Sequence, residues 1–252
     1  MAAEGKVAIV TGAGRPWGLG RATALGLARK GMDIVVAETR DDWGEEAAEA
    51  VQRETGRSAI YVRTDISNRD SVEAMVGQTV QRFGRIDALC NVAGITARVR
   101  LEELDDETYD RVMNVNLKGI FVTARAVLPT MKDQGSGHII NVSSGGALQP
   151  LKGLGVYSAA KAGVIALSKI MAWEWAPYGV VVIVVAPGRM GNAMGSDEGP
   201  GAHELELGAR SQPFKVIMTP DDVAEVMVYA ATSEGHALTG QTLHANGGGY
   251  MV

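Results

Sequence analysis

Seven short runs rich in valine and isoleucine, at 7–10, 34–37, 59–63, 88–91, 138–142, 180–185 and 242–245, recur along the chain with segments of helical period between them. The helical segments are 20–29, 43–54, 71–83, 106–132, 158–176 and 221–233. Several runs are apolar at every position rather than at alternate ones, the pattern of strands covered by helices on both faces. Repeating strand, helix, strand in this way confines a chain to a parallel sheet with crossover helices. The fold expected is a doubly wound α/β sheet of about seven strands with helices on both faces, a Rossmann fold, with ligands at the carboxyl ends of the strands. No proline-rich linker or internal repeat divides residues 1–252, which read as one domain. Only 188–212, rich in Gly, Met, Ser and acidic residues, resists a regular assignment, and a segment of that length reads as a substrate lid.

Charge and composition narrow the function. A net charge of -5 offers no basic field for a phosphate backbone, so no nucleic-acid partner is expected. The longest apolar stretch, 180–186, is far short of the roughly 20 residues of a membrane helix, and no membrane partner is expected. The single cysteine, Cys90, permits no internal disulfide, and a cytoplasmic protein is the expectation. No metal is expected. Glycine is the outlier, 32 of 252 residues; many turns must bring backbone close to something.

The first such turn is TGAGRPWGLG, directly after the first strand and opening the first helix. Gly12, Gly18 and Gly20 let backbone approach a pyrophosphate, and the helix start at Leu19 supplies N–H groups and a positive dipole end. Eighteen residues beyond Gly20, Glu38 ends the second strand, where a carboxylate accepts hydrogen bonds from both adenosine ribose hydroxyls and repels a 2′-phosphate. NAD is therefore favoured over NADP, although Arg15 and Arg40 are cations able to reverse that preference.

Further on, YSAAK places Tyr157 and Lys161 four residues apart at a helix start, on one face. Ser144 lies 13 residues before Tyr157 in NVSS, Asn116 stands in VNLKG, and NVAG follows the fourth strand. With the glycine turn, Asp65 in RTDIS, VAPG at 185–188 and TGQTLHANGG near the end, the chain resembles the short-chain dehydrogenase/reductase family along essentially its whole length. The resemblance implies a nicotinamide-dependent oxidation of alcohols or reduction of carbonyls, a small-molecule substrate and a homotetramer. It implies that Tyr157 is the acid/base, Lys161 holds the nicotinamide ribose, Ser144 bonds the substrate oxygen and Asn116 positions a water leading to Lys161. It also assigns Asp65 and Ile66 to adenine, Asn91, Ala93 and Gly94 to the adenosine ribose, and Pro187, Gly188 and Asn192 to the nicotinamide. A free tyrosine titrates near 10, and a neighbouring ammonium is expected to lower that value.

The match breaks in places. Five residues rather than three separate Gly12 from Gly18, which reads as a bulge carrying Arg15, Pro16 and Trp17; in the other alignment Gly12 and Gly14 form the tight turn. Val92 replaces the family's second asparagine, and Asn192 stands where a threonine is common. The expected substrate wall, Ser144, Gly146, Leu148, Tyr157, Met190 and Met194, is small and apolar. Trp173 stands where relatives acting on carrier-tethered acyl chains place an arginine. A neutral secondary alcohol or ketone fits this wall; the alternatives are an NADPH-dependent 3-oxoacyl thioester reductase and, more remotely, a non-catalytic dinucleotide sensor.

Overall fold

The computed structural model describes residues 3–191, 212–215, 217–233 and 235–251. Seven strands, β1 (Val7–Thr11), β2 (Asp33–Glu38), β3 (Ala59–Arg63), β4 (Ala88–Asn91), β5 (Gly137–Val142), β6 (Val180–Pro187) and β7 (Thr242–Ala245), form one sheet. Every neighbouring pair is parallel, in the order β3-β2-β1-β4-β5-β6-β7, as the alternation of strand and helix requires. The order reverses between β1 and β4, so a crevice opens at their carboxyl ends.

The helices are α1 (Leu19–Arg29), α2 (Asp41–Thr55), α3 (Arg69–Phe83), α4 (Asp106–Met113), α5 (Gly119–Gln134), α6 (Gly155–Trp175) and α7 (Pro220–Thr232). Two apolar cores follow from the two faces. Leu27, Val51, Val223 and Met227 of α1, α2 and α7 pack on one, and Met75, Val127, Met131 and Met171 of α3, α5 and α6 on the other. Local chemistry sets the ends. Asn68 and Asp105 accept N–H bonds at the starts of α3 and α4, Thr219 and Asp222 form a reciprocal cap on α7, and Gly56, Gly84 and Gly135 end their helices in the left-handed region.

The single helix expected over 106–132 is two helices joined by a π turn, Asn114–Lys118. Asn116, fully buried within it, bonds the Val112 carbonyl before the turn and the Ile95 backbone in the loop after β4, as described below. Of the expected lid, residues 192–211 lie outside the described residues. The flanking positions are tied together: the Gln212 amide donates to the Arg189 carbonyl (3.0 Å), and Gly191 N–H to Met218 (3.0 Å).

Candidate active site

Backbone contact shapes the turn after β1. Gly12 has φ +66°, and a Cβ there would lie 2.8 Å from the Ala93 Cα, while a Cβ on Gly20 would collide with the Gly12 carbonyl. Only glycine fits either place. The two additional residues are taken up by a β-turn: Gly18 N–H donates to the Arg15 carbonyl (3.0 Å), with Pro16 at the position proline favours. Leu19 then opens α1 with no side chain capping its first N–H groups. Arg21, which the sequence reading missed, is buried beneath the turn; it donates to the carbonyls of Gly14 (2.9 Å) and Ala13 (3.4 Å) and pairs with Glu46. An arginine directly after GLG was the available signal. Carbonyls held by this cation, glycines in contact and uncapped N–H groups fit a pyrophosphate.

Glu38 stands at the mouth of the same turn. One carboxylate oxygen accepts the Gly14 N–H (3.2 Å), the other the Thr39 N–H (2.8 Å) and hydroxyl (3.0 Å). A Cβ on Gly14 would sit 2.6 Å from the Glu38 Cγ, so this approach also needs glycine. Beside it, the Arg40 guanidinium lies 3.7 Å from the Trp43 ring centroid and pairs with Asp42 at 2.7 Å, holding that carboxyl below the usual carboxylate range. Arg15 approaches the same ring at 5.1 Å, and Trp17 meets it edge-on at 6.2 Å. Asp41 accepts from Tyr61 and Arg63, each at 2.6 Å. Trp43 and Asp42 carried no sequence signal beyond an amphipathic helix start.

Several expected cofactor residues turn inward. The Asn91 amide donates to Asn141 (2.9 Å) and accepts from Thr123 (2.8 Å), and Asn141 continues to Ser168 (2.9 Å). This buried chain ties β4 and β5 to α5 and α6, so the Asn91 side chain fastens the sheet beneath the NVAG turn. Ile66 is likewise buried, against Gly119. Asp65 accepts the Ser67 N–H and hydroxyl, and remains exposed. Thr11 accepts the N–H groups of Val92 and Ala93 at 3.1 Å, fixing the NVAG turn, with Gly94, against the glycine turn without the missing asparagine. Pro187 pairs with Ala245, and Gly188 abuts Asn246.

Across the crevice, the end of β5 meets the start of α6. Gly146 brings the hydroxyl-bearing residues together: a Cβ there would lie 3.5 Å from Ser144 Oγ, 3.6 Å from Ser158 Oγ and 3.9 Å from Tyr157 Cε1. Ser144 accepts the Gly146 N–H (3.1 Å), leaving its own proton to donate. Ser158 is a buried hydroxyl with no partner among the described residues. Lys161 is almost fully buried, its Nζ donating to the Val142 carbonyl (2.8 Å) and lying 5.9 Å from the Tyr157 ring centroid. Burial pulls its ammonium down to about 8. The Tyr157 phenol, expected to be lowered, is instead raised: desolvation outweighs its hydrogen bond to Ser144, and Lys161 is turned to the Val142 carbonyl.

Asn116 is held from both the helix and the loop before it. Its amide donates to the carbonyls of Ile95 (2.9 Å) and Val112 (3.0 Å) and accepts the Ile95 N–H (3.3 Å), clamping the loop after β4. Both amide protons are used, leaving acceptor capacity alone for any water. Of the expected substrate wall, Leu148 is exposed beside the Ser144 turn, and Met190, half-buried, packs against the core with its backbone paired to Met218. Asn192 and Met194 lie outside the described residues. Among the described residues no three His, Cys, Asp or Glu side chains gather as metal ligands, and no helix is long and apolar enough to cross a membrane.

Comparison with known proteins gives a consistent account. Residues 6–202 match the family model described as short chain dehydrogenase. The chain is 36% identical over 249 residues to the short chain dehydrogenase/reductase astE of Aspergillus oryzae, covering 97% of this chain and 95% of that one. It is 38% identical over 247 residues to a 3-oxoacyl-acyl-carrier-protein reductase of Synechocystis, covering 98% and 97%. A crystal structure of a short-chain type dehydrogenase/reductase from Mycobacterium marinum superposes with a TM-score of 0.90 at 28% identity, over 99% of this chain and 97% of that one.

Proposed function

The chain belongs to the short-chain dehydrogenase/reductase family of oxidoreductases, and from that premise we propose that it interconverts a neutral secondary alcohol and its ketone with NAD as cofactor. The observation that carries the chemistry is the grouping of Ser144, Gly146, Tyr157 and Lys161 at one end of the crevice. Gly12, Gly18, Gly20 and Glu38 would hold the adenosine pyrophosphate half of the cofactor and Pro187 and Gly188 its nicotinamide, and when bound the group would supply hydride-transfer chemistry. In the reductive direction the Tyr157 phenol, kept protonated by burial, gives its proton to the substrate oxygen. Ser144 donates a hydrogen bond to that oxygen, and Lys161, charged at neutral pH, stabilises the phenolate left behind.

Glu38 supports NAD. Its two oxygens keep acceptor capacity beyond the bonds they make, and Asp41 and Asp42, paired with Arg63 and Arg40, follow three and four residues on. The turn at 144–148 carries no charge, which suits a neutral substrate. The names of the Synechocystis relative and of one from Thermotoga maritima, 35% identical, both 3-oxoacyl-acyl-carrier-protein reductases, favour a second reading, reduction of a 3-oxoacyl thioester, for which NADPH is the cofactor to test. We also read the chain as a homotetramer acting as one catalytic unit per chain. An exposed groove walled by Leu117, Phe121, Leu167 and Ile170 supports a further copy packing there.

The test follows absorbance of the reduced nicotinamide with secondary alcohols, ketones and acetoacetyl-CoA, using both cofactors, for wild type and Tyr157→Phe. Turnover of ketones with NADH, reduced about 10²-fold or more in the variant, is the expected result. Preference for acetoacetyl-CoA with NADPH establishes the second reading instead, and undiminished turnover by the variant removes Tyr157 as the acid/base. Light scattering on the same sample should give the mass of four chains; a monomer mass ends the tetramer reading.

A further inference from the structure

The C-terminal tail returns to the active site through a contact that the mechanism above leaves unused. Tyr250 stands against Gly145, the residue after Ser144: a Cβ on Gly145 would lie 2.5 Å from the ring Cε1 and 3.2 Å from Cζ. The phenol oxygen lies 3.1 Å from His244 Nδ1 and 3.4 Å from the Ala186 carbonyl. With the imidazole proton on Nδ1, His244 donates to the phenol while the phenol donates to Ala186, so both bonds form together. The rings of Tyr250 and His244 meet edge-on, centroids 5.6 Å apart.

Backbone bonds fix the approach. Asn246, buried, donates from its amide to the Tyr250 carbonyl (2.8 Å) and accepts the Gly248 N–H (2.8 Å). Gly247 and Gly248 have φ of +59° and +77°, and they abut Gln212 and Pro213. The same Asn246 rests on Gly188, where a Cβ would lie 2.8 Å from the Asn246 Cα. One short tail therefore touches both turns that flank the hydride path, the Ser144–Gly145 turn and the Pro187–Gly188 turn.

We propose that Tyr250 is a positioning residue, its ring pinning Gly145 to the end of β6 so that the Ser144 hydroxyl stays directed at the substrate oxygen. The proposal rests on Ser144 acting as described above. Burial keeps the Tyr250 phenol protonated, as its bond to Ala186 requires. Among the described residues the Ser144 hydroxyl is held by the Gly146 N–H and by its bond to Tyr157, so its direction depends in part on the turn. A one-ångström displacement of such a group is enough to cost about 10²-fold in rate.

The experiment uses the full chain in four variants: Tyr250→Ala, Tyr250→Phe, Gly145→Ala and the double variant Gly145→Ala/Tyr250→Ala. Tyr250→Ala should lower kcat by about 10-fold to 10²-fold while NADH affinity, read from tryptophan fluorescence, stays within about twofold. Tyr250→Phe, which keeps the ring on Gly145, should recover most of kcat. Gly145→Ala should lower the melting temperature by collision with the ring, and removing the ring should relieve it, so that the double variant loses less than the sum of the single losses. Additive losses remove the contact, and an unchanged kcat in Tyr250→Ala removes its role; a parallel fall of kcat and NADH affinity makes it general packing. If Tyr157→Phe retains turnover, the reading of the site fails instead, and the melting-temperature cycle alone decides whether Tyr250 pins the turn.

Discussion

The turn after β1 and the turn after β5 hold comparable places on the two sides of the sheet reversal, yet they keep their shapes by different means. The first is held chiefly by close backbone approach, with Arg21 beneath it: Gly12 against Ala93 and Gly20 against Gly12 leave no room for a Cβ, and the Arg21 guanidinium holds the Gly14 and Ala13 carbonyls. The second is held by side chains, through the Ser144 hydroxyl, the buried Lys161 amine, Tyr157 and Tyr250. A pyrophosphate is recognised by backbone N–H groups at close range, whereas proton transfer needs a hydroxyl and an ammonium in the right ionisation states. One end of the crevice is thus sensitive to added atoms, and the other to lost functional groups as well as to an added atom at Gly145, where the Tyr250 ring leaves no room.

Adding an atom to the first turn is the most severe way to test this difference. Gly20→Ala places a methyl on the Gly12 carbonyl, and overpacking of this kind costs about 1–3 kcal/mol or more. Because the strain falls where the pyrophosphate would rest, NADH affinity should drop by about 10²-fold, with a melting temperature lowered by several degrees. Gly77→Ala, with open space around its Cα, is the control and should bind NADH as wild type does. Equal affinity in both variants would show that the turn has slack and that the contrast with the β5 turn is not one of backbone contact.

This difference also governs what could be read from sequence. The strands expected at 7–10 and 180–185 were legible because burial on both faces leaves an unbroken apolar run. The glycine turn was legible because glycines forced by close approach are conspicuous in a sequence. The break in the helix over 106–132 was not, since it depends on one asparagine finding Ile95 across a loop. The pairing of Met190 with Met218 was not legible either, because the two are brought together only by the tertiary fold. Trp43 was silent for the same reason: its stacking partner Trp17 comes from a separate turn.

Glu38 is where a side chain governs the backbone-built turn, so changing it sharpens the comparison. Glu38→Gln removes the charge while keeping the shape that Gly14 fits, and should shift the NADP-to-NAD ratio of kcat/KM about tenfold toward NADP, equivalent to about 1.4 kcal/mol. Asp42→Asn should move the ratio the same way by only about two- to threefold, because the Asp42–Arg40 pair is exposed and such pairs are worth little. Isothermal titration with both reduced cofactors separates binding from turnover. An unchanged ratio in Glu38→Gln would mean that the acidic rim does not select the cofactor.

The smallest effect probes the side-chain-built turn through its proton rather than its activity. Burial lowers the Lys161 ammonium from its ordinary 10.5 to about 8. The unfolded chain keeps that proton up to about 10.5, so between pH 8 and 10.5 it binds more protons than the folded chain, and stability rises with pH. Below pH 8 the cost of burying the charge is present in full. Cys90 acts in the opposite sense: burial raises its thiol from 9.0 to about 12, so stability falls as pH rises between those values. Lys161 therefore dominates between pH 8 and 9, where it contributes about 1 kcal/mol of rising stability. Urea unfolding of wild type and Lys161→Met at both pH values isolates it, since Cys90 is common to both chains. The stability difference should move by about 1 kcal/mol in favour of wild type from pH 8 to pH 9. A constant difference would show that the amine reaches water, and that the turn after β5 is then no more closed to solvent than the glycine turn across the crevice.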